Sequence, residues 1–154
     1  TPGFTAKDFM LYIASVKGIP PRRAKRKSEE LLERVHRKED MNRKIRTFSG
    51  GMKRRLGIAQ ALLKDPKILI MDEPTAGLDV SASKIIHDFI LQCREEGKAI
   101  IFSSHSMQEV EKLSDRIIII HKGSIIDHGT IEYFKQKYES HDMEDIFIRV
   151  VGEK

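Results

Sequence analysis

The sequence predicts an α/β chain, in which a small all-helical unit leads into strands that alternate with helices in a parallel sheet. Ile68-Leu-Ile-Met71 is a short apolar run that meets Asp72-Glu73 and is stopped by Pro74. Such a run reads as a buried strand, expected here in a sheet covered on both faces. Ala99-Ile-Ile-Phe102 repeats the pattern after a helical stretch, which is the spacing of a βαβ unit with a right-handed crossover. Before about Ile45 nothing alternates with strand period, so that part is expected to be helical.

Each element has its own local signal. Thr5-Ala-Lys-Asp8 resembles a capping box, and Phe9, Tyr12, Ile13 and Val16 follow at helical spacing as the expected apolar stripe. Gly18 ends that helix and Pro20-Pro21 opens another, whose stripe is Leu31, Leu32 and Val35. Ser49 is an N-cap for a helix with Met52, Leu56, Ala59 and Leu63 inward, and Asp65-Pro66 stops it. After Asp79 a further helix turns Ile85, Ile86, Phe89, Ile90 and Cys93 inward, with Gly97 at its end. Ser106-Met-Gln-Glu109 is a second capping-box pattern. Arg116 to His121 and Ser124 to Asp127 flank His121-Lys122-Gly123, a hairpin signal. Thr130 caps a helix through Tyr138, and the tail residues Ile146, Phe147, Ile148 and Val150 are expected to dock on the sheet or on a partner.

Composition excludes several classes. The 154 residues are 40% hydrophobic and 33% charged, the balance of a globular domain. Ile117 to Ile120 is among the longest apolar runs, far below the ~18 residues of a membrane span. No signal-peptide pattern is present. Cys93 stands alone, so no internal disulfide can form and a reducing compartment is favoured. The net charge of +5 sits in runs: Arg22, Arg23, Lys25, Arg26, Lys27; Arg43, Lys44, Arg46; Lys53, Arg54, Arg55. These read as solvated helix faces or as contacts to an anionic surface. Without Trp or interleaved aromatics they make no base-stacking platform.

The chemistry concentrates at strand ends. Asp72 and Glu73 sit at the carboxyl edge, where open α/β sheets bind ligands, and as neighbours on a strand they point to opposite faces. One can serve a hard cation such as Mg²⁺ and the other a hydrolytic water. His105 follows the second strand and is expected at the same edge. Gly50 and Gly51 in the first turn of a helix are poor helix formers, and they suit a phosphate that approaches exposed N–H groups closely.

Taken together, Phe48-Ser-Gly-Gly-Met52, Ile68-Leu-Ile-Met-Asp-Glu-Pro-Thr75, Gly77-Leu-Asp79 and Ser104-His105 resemble, in order and spacing, the ATP-binding subunit of an ABC transporter. The Ser-Gly-Gly-Met-Lys-Arg-Arg form and the Met-Glu-Asp-Ile-Phe-Ile-Arg tail are similar to ABC-2-type exporters of sodium, drugs or antibiotics. The resemblance implies a P-loop NTPase-like ABC ATPase fold, represented in part. Residues 1–46 would be the helical subdomain that touches the membrane partner. Residues 47–139 would be the carboxyl part of the ATPase core, and 140–154 a carboxyl-terminal tail.

By the same resemblance, Asp72 is the Walker B aspartate, acting on Mg²⁺ through water, and Glu73 is the catalytic carboxylate that polarises the attacking water. His105 is the switch histidine at the γ-phosphate. Ser49, Gly50 and Gly51 form the signature loop that closes on ATP held by the opposite subunit, and Asp79 is the D-loop residue across the dimer interface. Implied partners are a second ATP-binding domain and a membrane permease, at the cytoplasmic face of the membrane, with no direct cargo contact.

Met52 stands where the commonest signature has Gln. No Gly-x-x-x-x-Gly-Lys-[Ser/Thr] occurs in these 154 residues. The resemblance therefore implies the carboxyl part of a longer ATPase, inactive towards ATP by itself. A soluble ABC-type ATPase of ribosomes or nucleic acid, and a non-catalytic half-domain used in dimerisation or regulation, are the alternatives.

Overall fold

Thr5 opens the first helix as the capping box requires. In the computed structural model, which describes residues 3–152, its Oγ1 accepts the Asp8 N–H (3.1 Å) while the Asp8 carboxylate accepts the Thr5 N–H (3.0 Å). Helix α1 (Ala6–Val16) then runs to Gly18, which takes φ +70. The Gly18 N–H donates to the Ser15 carbonyl and Ile19 N–H to Ala14, the paired bonds of a Schellman end. Pro21 starts α2 (Pro21–Arg34) at the position where a missing N–H costs nothing.

The stripe expected on α1 is corrected by its packing. Ala6, Met10 and Ala14 are buried, whereas Tyr12 and Val16 are 55% and 69% exposed. Ala6, Met10 and Ala14 recur every fourth residue on one face, and that face, not the one with more large side chains, is the buried one. On α2 the expected Leu31, Leu32 and Val35 are all buried.

Helix α3 (Gly50–Ala61) is capped by Ser49, and Met52, Leu56 and Ala59 are buried along it, with Leu63 just beyond. Strand β1 (Ile68–Met71), helix α4 (Val80–Glu95) and strand β2 (Ala99–Phe102) follow. The strands pair in parallel, with Met71 beside Phe102. Ala82, Ile86, Phe89, Ile90 and Cys93 fix α4 to the core, and Gly97 (φ +79) ends it in a second Schellman pair.

Burial of this sheet differs from the expectation. Leu69 is 6% exposed, but Ile70 is 77% and Ile101 60% exposed. Among the described residues the sheet has two strands and packs its core through one face only.

The contacts divide the chain into two units, one ending at Ser103 and the other starting at Ser104. The second unit contains α5 (Met107–Leu113), β3 (Ile117–His121), β4 (Ser124–Gly129), α6 (Ile131–Lys137) and α7 (Met143–Gly152). The hairpin turns through Lys122 (φ +48) and Gly123 (φ +78), both left-handed as a tight hairpin turn demands. The tail is a helix docked on its own unit: Met143, Ile146 and Val150 of α7 cluster with Ile119 and Phe134. Asp127 ties β4 to α6. Its carboxylate accepts from Lys137 Nζ (2.7 Å), Tyr138 (3.0 Å), Tyr133 (3.2 Å) and the His128 N–H (2.8 Å).

Candidate phosphate and hydrolysis site

Parallel register sets the site. Ser103 continues the ladder past β2 by donating its N–H to the Met71 carbonyl (3.0 Å), so it stands beside the Asp72-Glu73 end of β1. Its hydroxyl donates to Asp72 Oδ1 (2.5 Å) and accepts the Glu73 N–H (2.9 Å). From α3, Arg54 Nη1 donates to the Asp72 carbonyl (3.3 Å). Asp72 is exposed and Glu73 half-buried. Glu73 adopts φ +41, a left-handed backbone for a residue with a full side chain.

From Glu73 the chain runs through turns to α4. The Glu73 and Thr75 carbonyls accept from Ala76 and Leu78, and Gly77 takes φ +72. Asp79 is the N-cap of α4, with Oδ1 accepting the Ala82 N–H (2.8 Å). This loop comes close to the start of α3. A Cβ on Gly51 would meet Leu78 at 3.2 Å, while one on Gly50 would meet nothing within 4 Å. Gly51 is therefore explained by packing, and Gly50 keeps an open face beside the first-turn N–H groups of α3. Ser49 caps that turn, its Oγ accepting from Met52 N–H (3.3 Å).

Ser49, Gly50, Gly51, Asp72, Glu73 and Asp79 thus all lie in the first unit. His105 lies in the second, exposed, in the turn before α5. In that turn the Ser106 N–H donates to Ser104 Oγ (3.0 Å), which itself donates to Glu109 (2.7 Å). Ser106 Oγ accepts the Glu109 N–H (3.3 Å) as the N-cap of α5.

Sequence reasoning missed Ser103, Arg54 and Arg55 as parts of this region. The parallel pairing of the two strands was the signal for Ser103. Arg55 belongs to a basic run that read as surface, yet it is 8% exposed, with Nε directed at the Gly51 carbonyl (3.4 Å). Burial, and then the charge of Arg37, lower its pKa from the usual guanidinium value, while Asp79 and Asp40 act the other way. The first basic run is exposed at Arg22, Arg23, Lys25 and Arg26, and Lys27 pairs with Glu30 (2.8 Å).

Among the described residues no cluster of three or more His, Cys, Asp or Glu could hold a metal. One carboxylate beside a hydroxyl fits Mg²⁺ that arrives with phosphate oxygens and keeps its waters, as opposed to a resident ion. No described helix is long and apolar enough to cross a membrane.

Known proteins resemble this chain in sequence and in fold. The ABC transporter family model matches residues 2–76. The chain is 40% identical over 144 residues to the ABC transporter ATP-binding protein NatA of Bacillus subtilis (strain 168), covering 94% of this chain and 58% of that protein. It is 43% identical over 129 residues to the linearmycin resistance ATP-binding protein LnrL of the same organism, covering 84% of this chain and 42% of that protein. The chain thus spans about half the length of these relatives. A solved ATP-binding subunit of an ABC transporter superposes with a TM-score of 0.84 over 97% of this chain and 63% of its own, at 22% identity, and so shares the fold. Fold and identity along almost the whole sequence agree: the chain belongs to the ABC transporter ATP-binding family and forms part of its P-loop NTPase-like nucleotide-binding domain.

Proposed function

We propose that this chain carries the signature and hydrolytic residues of the ATP-binding subunit of a membrane exporter, which couples ATP hydrolysis at a dimer interface to transport. The observation that carries this reading is the Asp72-Glu73 pair, held at the end of β1 by Ser103 in the same unit as the Ser49-Gly50-Gly51 turn. The resistance function in the name of the LnrL relative supports export.

Phosphoryl transfer needs positioning and charge stabilisation more than covalent chemistry. Asp72 would hold Mg²⁺ through water, and the ion, when bound, would offset negative charge on the phosphates. Glu73 orients and polarises the attacking water, and His105 contacts the γ-phosphate. Ser49, Gly50 and Gly51 present first-turn N–H groups to ATP held by a second subunit, with Asp79 at that interface. A site divided between subunits lets hydrolysis drive opening and closing. Residues 1–46 form the face towards a permease at the cytoplasmic side of the membrane, 47–139 the core, and 140–154 the tail. Cargo is contacted by the permease. The 154 residues contain no Gly-x-x-x-x-Gly-Lys-[Ser/Thr], and alone they do not turn over ATP.

The test compares Mg-ATP turnover by the full-length protein, its Glu73→Gln variant and the 154-residue chain. The full-length protein should hydrolyse ATP, and Glu73→Gln should lower kcat by about 10²-fold or more. Undiminished turnover by Glu73→Gln would overturn the role of Glu73. Glu73-dependent turnover by the 154-residue chain would overturn its inactivity.

A further inference from the structure

The geometry points to Ser103 as a positioning residue for both carboxylates, acting through the peptide that joins them. This rests on the hydrolytic reading of Asp72 and Glu73. That peptide is held at both of its polar ends. Its carbonyl accepts from Arg54 Nη1 (3.3 Å), and its N–H donates to Ser103 Oγ (2.9 Å). The same Ser103 hydroxyl gives its proton to Asp72 Oδ1 (2.5 Å). A hydroxyl has one proton to donate and lone pairs to accept with, so Ser103 uses both functions here. That bond fixes the Asp72 carboxylate through Oδ1.

Glu73 needs such a clamp because its backbone is left-handed at φ +41. A residue with a side chain holds that conformation only where its surroundings over-determine it. Ser103 supplies the bond on the N–H side, and the N–H of Ala76 binds the Glu73 carbonyl on the other (3.2 Å). The direction of the Glu73 Cα–Cβ bond follows from that backbone. A hydroxyl at position 103 therefore helps aim the bond that carries the Glu73 carboxylate, without touching substrate itself. Arg54 adds a link from helix α3, five residues after Ser49, to the same peptide.

Two measurements test this. In the full-length protein, Ser103→Ala should lower kcat about 10- to 100-fold, the cost of a small misplacement of a reacting group, with KM for Mg-ATP nearly unchanged. Ser103→Thr, which keeps the hydroxyl, should restore most of kcat, although its extra methyl would not rescue a mere packing role. In the 154-residue chain, amide exchange at Glu73 should be at least about tenfold faster in Ser103→Ala than in the wild type. Unchanged exchange, unchanged kcat, or a loss that Thr fails to rescue would each overturn the proposal. If the wild-type full-length protein shows no Mg-ATP turnover, the hydrolytic reading fails, and the exchange measurement alone decides whether Ser103 holds the peptide.

Discussion

Glu73 offers a prediction in which stability and chemistry run in opposite directions. At φ +41 an L-residue is strained by about 1–2 kcal/mol, because its Cβ crowds the carbonyl oxygen. Glycine escapes this strain but loses roughly 0.5–1 kcal/mol more backbone entropy than alanine on folding. Glu73→Ala keeps the strain and removes the carboxylate, while Glu73→Gly removes both. The Gly variant should therefore be the more stable of the two by about 0.5–1 kcal/mol, even though a generic Gly-for-Ala exchange destabilises. Both variants keep the Glu73 N–H bond to Ser103, so the difference isolates the backbone. In a chain of this size the gain amounts to about 1–4 °C in Tm, within reach of thermal melts followed by circular dichroism. Glu73→Gln, which keeps the side-chain shape, serves as reference. An Ala variant as stable as the Gly variant would refute the reasoning, since the left-handed backbone would then carry no cost. If the order holds, the full-length Gly variant should be both more stable than Ala and as inactive, as expected when strain is retained for chemistry.

Two further predictions concern the second unit. A Cβ on Gly129 would lie 2.8 Å from Tyr133 Cγ, so Gly129→Ala should cost about 1–3 kcal/mol in a urea titration, and adding Tyr133→Ala should recover part of that loss. Burial pushes the Asp127 carboxyl up, but the bonds from Lys137, the His128 N–H and Tyr138 outweigh it and hold it below the usual carboxylate range. A lowered folded-state pKa contributes stability that is present above about pH 4 and lost as pH falls through the folded value. Asp127→Asn should thus be less stable by about 1 kcal/mol at neutral pH, a value discounted because Lys137 is partly exposed, and the two Tm-versus-pH curves should converge in acid. A constant gap down to pH 2 would refute it.

What the sequence disclosed best were the ends of elements, because capping is local chemistry. Thr5, Ser49, Ser106 and Thr130 each cap the helix they were expected to open, and Gly18 and Gly97 each end one. The face of a helix is not local. Counting large apolar residues chose Tyr12 and Val16 on α1, whereas the buried face carries Ala6, Met10 and Ala14. The left-handed residues just after α2 and α6 were equally hidden. There His36 (φ +52) and Glu139 (φ +50) occupy the position where α1 and α4 have glycine. Neither residue type announces a left-handed backbone, and only the hydrogen bonds around it do.

The site divides along the same line. Asp72 and Glu73 were legible because a strand that ends in two carboxylates is a pattern within one segment. Ser103 lies about thirty residues away, and its relation to them exists only through the parallel register that sets Met71 beside Phe102. Shift that register by one residue and the Ser103 side chain turns to the other face, which breaks both of its bonds at once. The register is itself fixed by which side chains the sheet buries, and on β1 the buried side chain is Leu69. Leu69 thus reaches Asp72 and Glu73 through the backbone ladder. A conservative change at buried Leu69 can therefore misplace Glu73, although the two residues lie four positions apart.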